Sequence, residues 1–155
     1  MSGCVLPVGP QFDDPEPNFP PFIFTSDPAV GEVFTFQEGH PITVTIGDHN
    51  VGDELFMRWL VDYPNSDLNN ARRADENSYL SGTTITRSPP LQFSPLCASI
   101  PRGANPHRLL LSISDRPFLR GDQVSPAAPF DTVPAGANRL RAVWLMRIDC
   151  PGASQ

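Results

Sequence analysis

Three histidines, a scatter of carboxylates and three cysteines are the side chains of this 155-residue chain with chemistry to offer. An imidazole acts as acid, base or metal ligand beside a second polar group. Here His40 stands between Gly39 and Pro41, His49 lies in Gly47-Asp48-His49-Asn50-Val51-Gly52, and His107 follows Pro106. Asp48, His49, Asp53 and Glu54 would surround a cation if one loop gathered them, but Gly-Asp-His-Asn is also turn chemistry, and no bound metal is expected. Asp62, Asp67, Asp75 and Glu76 could supply the two carboxylates of a glycosidase-type cleft, at a separation that sequence does not give. The same acids serve equally as a solvated stretch that keeps a sheet edge from pairing with other chains. No Gly-x-Ser-x-Gly elbow occurs, a chain without Lys has no phosphate loop, and no GxGxxG follows a strand. The expectation is a non-catalytic protein with no cofactor. The rival is a carbohydrate-binding module or hydrolase using loop carboxylates and His49.

The elements that must position these residues are strands. With 19 Pro, 11 Gly, 18% charged and 39% hydrophobic residues, the chain suits one all-β domain with rigid turns rather than a helical bundle. Short stretches of period-two alternation run from Phe22 onward. Strands are expected from Phe22 to Thr25, from Val33 to Phe36 and across residues 41–46. In residues 54–63, Leu55, Met57, Trp59, Val61 and Tyr63 share one side. Further strands are expected near residues 83–87 and 91–100, the latter broken by Pro95, and across 107–115 and 139–149. That makes about seven. Residues 64–80 read as a polar loop with one helical turn near 68–74, and residues 116–138, with Pro117, Pro126, Pro129 and Pro134, as an unusually long connection.

Residues 1–21 form an expected extended tether, because Pro7, Pro10, Pro15, Pro17, Pro20 and Pro21 interleave with Asp13, Asp14 and Glu16 in a composition that packs poorly. The folded domain is expected over 22–150 and a tail over 151–155. The opening Met1-Ser2-Gly3-Cys4 resembles the end of a bacterial lipoprotein signal, whose Cys receives the lipid. That resemblance implies export, a membrane anchor on Cys4 and a place in the cell envelope as an outer-membrane lipoprotein. In an oxidising compartment Cys97 would pair with Cys150, closing a loop of roughly 50 residues worth on the order of 4 kcal/mol. In a cytosolic interaction domain, the other rival, the two thiols would be buried hydrophobes.

Phe56-Met57-Arg58-Trp59 resembles the Trp-bearing third strand of an immunoglobulin-like β-sandwich. Residues 106–115 resemble the late Ser-Asp-ending strand of bacterial polycystic-kidney-disease-type surface domains. The resemblance implies two antiparallel sheets packed face to face, although both candidate bridging cysteines follow Trp59, so their bond would join strands other than the antibody pair. With a net charge of -6 and 11 arginines dispersed among 17 acids, nucleic acid is not an expected partner. The expected role is a protein-interaction or structural subunit of a surface assembly. Its partner-binding residues would lie on the two long connections: Asp67, Arg72, Arg73 and Tyr79 on one, Phe118, Arg120 and Phe130 on the other.

Overall fold

The structure is a computed structural model that describes residues 17–37, 39–63, 72–79, 82, 84–93, 106–120 and 130–148, with backbone alone at 72–79 and 148. The described residues form eight strands and no helix: β1 (Phe22–Asp27), β2 (Val33–Phe36), β3 (Ile42–Gly47), β4 (Leu55–Val61), β5 (Arg72–Tyr79), β6 (Leu91–Phe93), β7 (His107–Ser114) and β8 (Arg139–Ile148). They make a three-stranded sheet of order β1-β3-β6 and a five-stranded sheet of order β2-β8-β7-β4-β5. The all-β expectation therefore holds among the described residues.

Alternation explains why the two sheets meet. Ile42, Val44 and Ile46 of β3, with Leu91 and Phe93 of β6, share one core with Leu55, Met57, Trp59 and Val61 of β4, Leu109, Leu111 and Ile113 of β7, and Ala142, Trp144 and Met146 of β8. Trp59 stacks on Phe93 of the other sheet at a centroid separation of 4.9 Å and lies 5.8 Å from Trp144 of its own, so the Trp59 indole bridges the sheets. Each such large side chain contributes about 1.5–3 kcal/mol by leaving water. Gly47, opposite Phe22 in the β1–β3 register, must lack a Cβ because the Phe22 ring occupies that space.

Four expectations change. Residues 72–79, read as loop, are a strand antiparallel to β4, with Arg72, Arg73 and Tyr79 opposite Val61, Leu60 and Leu55. Pairing along the open side of β4 overrides the poor intrinsic strand preference of Arg-Arg-Ala-Asp-Glu-Asn-Ser, and a polar edge resists further pairing. The sheets are not wholly antiparallel, because β2 runs parallel to β8. The chain crosses between sheets after β1, where the Pro28 carbonyl accepts the Trp144 Nε1 proton at 3.0 Å and the Gly31 amide bonds Val143 at 2.8 Å. The strand expected at 83–87 is reduced to one bridge, Thr86 to Gly47. Tyr63 leaves the face of Leu55 and Trp59, because Asp62 takes a left-handed φ of 55° and breaks the alternation.

Candidate functional site

The outer face of the five-stranded sheet is where the buried charge gathers. Across β4, β7 and β8 the register sets Leu60, Leu110 and Val143 in one apolar row. Tyr63 and Phe130 complete this second small core, with ring centroids 5.9 Å apart. The cover comes from the two described ends of the 116–138 connection, tied together where the Leu119 amide donates to the Thr132 carbonyl at 2.8 Å. Arg58 projects outward from mid-β4, donates to the Phe130 carbonyl at 2.6 Å and lies 4.5 Å over the Phe118 ring. Asp131, fully buried, accepts the Tyr63 hydroxyl at 2.9 Å and pairs with Arg141, while Arg139 donates to the Asp131 carbonyl at 2.8 Å. Burial and the neighbouring carboxylate push the Tyr63 phenol up to about 12.

A second pair closes the end of β4 against β7. His107 Nδ1 lies 2.8 Å from Asp62 Oδ2, and the other carboxylate oxygen accepts the Arg108 amide at 2.9 Å. The left-handed turn at Asp62 brings the carboxylate to the start of β7, where it bonds both an imidazole and a backbone amide. A histidine held by a carboxylate is also two-thirds of a hydrolytic triad, but no serine hydroxyl bonds His107 among the described residues.

The turn between β3 and β4, the candidate cation loop, is filled from within. Arg87 is buried and donates to the carbonyls of Val51 at 2.8 Å, Asn50 at 2.9 Å and Asp53 at 3.2 Å. Those carbonyls would otherwise be the oxygen ligands of a hard cation, and a guanidinium supplies the positive charge instead. Asp48 Oδ1 accepts the Asn50 amide at 2.9 Å, whereas Oδ2 is buried with no partner among the described residues. Its burial raises the carboxyl above the usual range, against the pull of the Asn50 bond and Arg87. His49 lies between the rings of Phe19 and Phe22, at 5.7 and 5.3 Å. Residues 17–21, assigned to the tether, are thus part of the folded surface. Asn50 bonds Pro17 and Phe19, Asn18 bonds Asp115 at 2.7 Å, and Asn138 bonds Asn18 at 3.0 Å.

The expected partner-binding residues fall in different situations. Phe118 is buried under Arg58 and Phe130 is half-buried against Tyr63, so both rings hold the connection down rather than face outward; Arg120 is exposed. Arg72, Arg73 and Tyr79 lie along edge strand β5. Asp67 and all three cysteines, Cys4, Cys97 and Cys150, lie outside the described residues. An open groove of about 360 Å³ runs beside β2, lined by Asp27, Pro28, Phe34, Thr35, Phe36, Gln37, His40, Pro41 and Ile42. Sequence reasoning passed over Arg87 and Asp131. Their only signal was an isolated charge bordered by short polar or Pro-bearing text. Comparison with protein-family models, with curated proteins and with solved structures gives no match for this chain.

Proposed function

We propose that this chain is a non-catalytic interaction or structural domain of the bacterial cell envelope, built as an immunoglobulin-like sandwich and anchored by a lipid on Cys4. The observation that carries the non-catalytic part is where the buried charged groups spend their bonds. Arg58, Arg87, Asp131 and the His107–Asp62 pair each bind backbone or a neighbouring side chain of their own chain. Groups used to fasten loops are not free to move protons for a substrate. The three histidines stand apart, in the groove, between two phenylalanines and against Asp62. Trp59 and Trp144 are both fully buried, which leaves neither as a flat platform for sugar.

Supporting the immunoglobulin-like reading, the order β1-β3-β6 takes the places of strands A, B and E, and β8-β7-β4-β5 those of G, F, C and C′. The fully buried Trp59 then sits on the C strand, where that family keeps its core indole. The anchor is supported by Ser2-Gly3-Cys4 and by the Pro-rich text after it.

Three measurements test the reading. Expressed in a bacterium with its native upstream region, the chain should incorporate an alkyne-tagged fatty acid and lose it in Cys4→Ala. Its intact mass should be lower than that of the reduced form by two hydrogen atoms, the two thiols having given up two protons and two electrons, and the difference should vanish in Cys97→Ala and in Cys150→Ala. A panel of ester, glycoside and peptide substrates should show no turnover, and turnover that disappears in His107→Ala would overturn the proposal.

A further inference from the structure

β2 has a single neighbour, β8, among the described residues. The Leu145 amide bonds the Glu32 carbonyl, and Val33 stands opposite Leu145 in a parallel register. Parallel pairing alternates along a strand, so Glu32, Phe34 and Phe36 turn their backbone groups to β8, and Val33 and Thr35 turn theirs to the open side. An edge of that kind is a template for another strand. Beside it runs the groove between Phe34 and Phe36 on one wall and Asp27, Pro28, Pro41 and Ile42 on the other. An extended segment lying there would continue the sheet, with every second side chain directed into the groove and the rest onto the outer face.

The outer face at this edge has a definite chemistry. Val33 and Leu145 are register partners and 48% and 38% exposed, and Val30 beside them is 47% exposed. Arg108 lies across from Leu145, and Arg147 across from Thr35. Both arginines are exposed, and neither side chain meets an acid among the described residues. In a chain of net charge -6 this apolar corner carries two arginines, and its own carboxylate, Glu32, is turned back to the Ala29 amide. Asp27, the groove's own carboxylate, lies at the opposite end, beside Pro28, whose carbonyl meets Trp144 level with the start of β2.

Resting on the interaction-domain reading, we infer that the free edge of β2 is the docking site for an extended acidic segment of a partner protein, added as a strand. Its apolar side chains, at alternate positions, enter the groove against Phe34 and Phe36. Its outward carboxylates lie near Thr35, within reach of Arg147. A second copy of this chain is the poorer occupant, because its own β2 strand, Val33-Phe34-Thr35-Phe36, brings no carboxylate to meet Arg147.

The probe is a short capped peptide of alternating Glu and Val, followed by fluorescence anisotropy and by amide hydrogen exchange on the full chain. The proposal expects saturable binding, new protection at the Val33 and Thr35 amides, and affinity about tenfold weaker in Arg147→Glu, whose exposed position spares the fold. The same peptide with all amides N-methylated should not bind. Absence of binding, equal affinity for a Lys–Val peptide, or binding without protection at Val33 and Thr35 overturns the edge assignment. So does concentration-dependent protection of those amides in peptide-free protein, which would make a second copy the occupant. A photo-crosslinker placed on Arg120 separates the two levels: a single envelope protein captured there, with the peptide negative, leaves the interaction domain standing and removes only this edge.

Discussion

Replacing Asp131 by Ala removes a carboxylate that ties the outer cover to the five-stranded sheet. Three partners lose it: the Tyr63 hydroxyl at 2.9 Å, the Arg141 guanidinium, and Arg139 at 3.7 Å. The Tyr63 bond is buried and charge-assisted, which sets its loss at about 1.5–3 kcal/mol. The arginines are 45% and 30% exposed, so water re-solvates them and each adds about 0–1 kcal/mol. The sum is a destabilisation of about 1.5–5 kcal/mol, or roughly 3–20 °C in Tm for a domain of this size. Urea unfolding followed by the fluorescence of the buried Trp59 and Trp144 measures it. Asp131→Asn, which keeps an acceptor for Tyr63 while removing the charge, should fall between. A loss below about 0.5 kcal/mol in Asp131→Ala would mean that the cover is not fastened there, and the account of the outer face would fail.

Three further outcomes follow from the same geometry. The folded phenol of Tyr63 is raised from 10 to about 12, so its contribution is complete below pH 10 and lost as pH climbs to 12, an alkaline limb of a few kcal/mol that Tyr63→Phe should lack. Asp48 is raised too, so its ionised form is disfavoured in the fold and the handicap disappears as pH falls through its folded value. Asp48→Asn should therefore match or exceed the wild type at pH 7 and lose that advantage in acid; parallel stability curves would contradict this. Arg87→Met leaves the Asn50, Val51 and Asp53 carbonyls without their donor and should cost about 2–4 kcal/mol, with no restoration by added calcium.

The sheet core was legible because it obeys one period. Leu55, Met57, Trp59 and Val61, like Leu109, Leu111 and Ile113, are buried where simple alternation puts them. β5 was not legible, since no apolar face marks a polar edge strand; only the open side of β4 selects it. Tyr63 was misplaced by a single residue, Asp62, whose positive φ cannot be read from its neighbours and depends on the bonds its carboxylate makes to His107 and Arg108. Phe118 and Phe130 illustrate the limit on the functional side. Aromatic residues in a long Pro-rich connection read as presented side chains, but Arg58 and Tyr63, far away in sequence, supply the bonds that fold the described ends back onto the sheet. Asp48, His49, Asp53 and Glu54 suggested a cation loop, and the positive charge there is an arginine more than thirty positions on, bonded to the Asn50, Val51 and Asp53 carbonyls.

The most direct test of the claim that this molecule's buried charges are fasteners is native-state hydrogen exchange at the Leu119 amide, which bonds Thr132 across the mouth of the 116–138 connection. In the wild type it should exchange orders of magnitude more slowly than an unstructured amide. In Asp131→Ala it should speed toward the unstructured rate while β7 amides such as Leu111 stay protected. Unstructured-rate exchange at Leu119 in the wild type would show the connection standing free of the sheet, and would contradict the account.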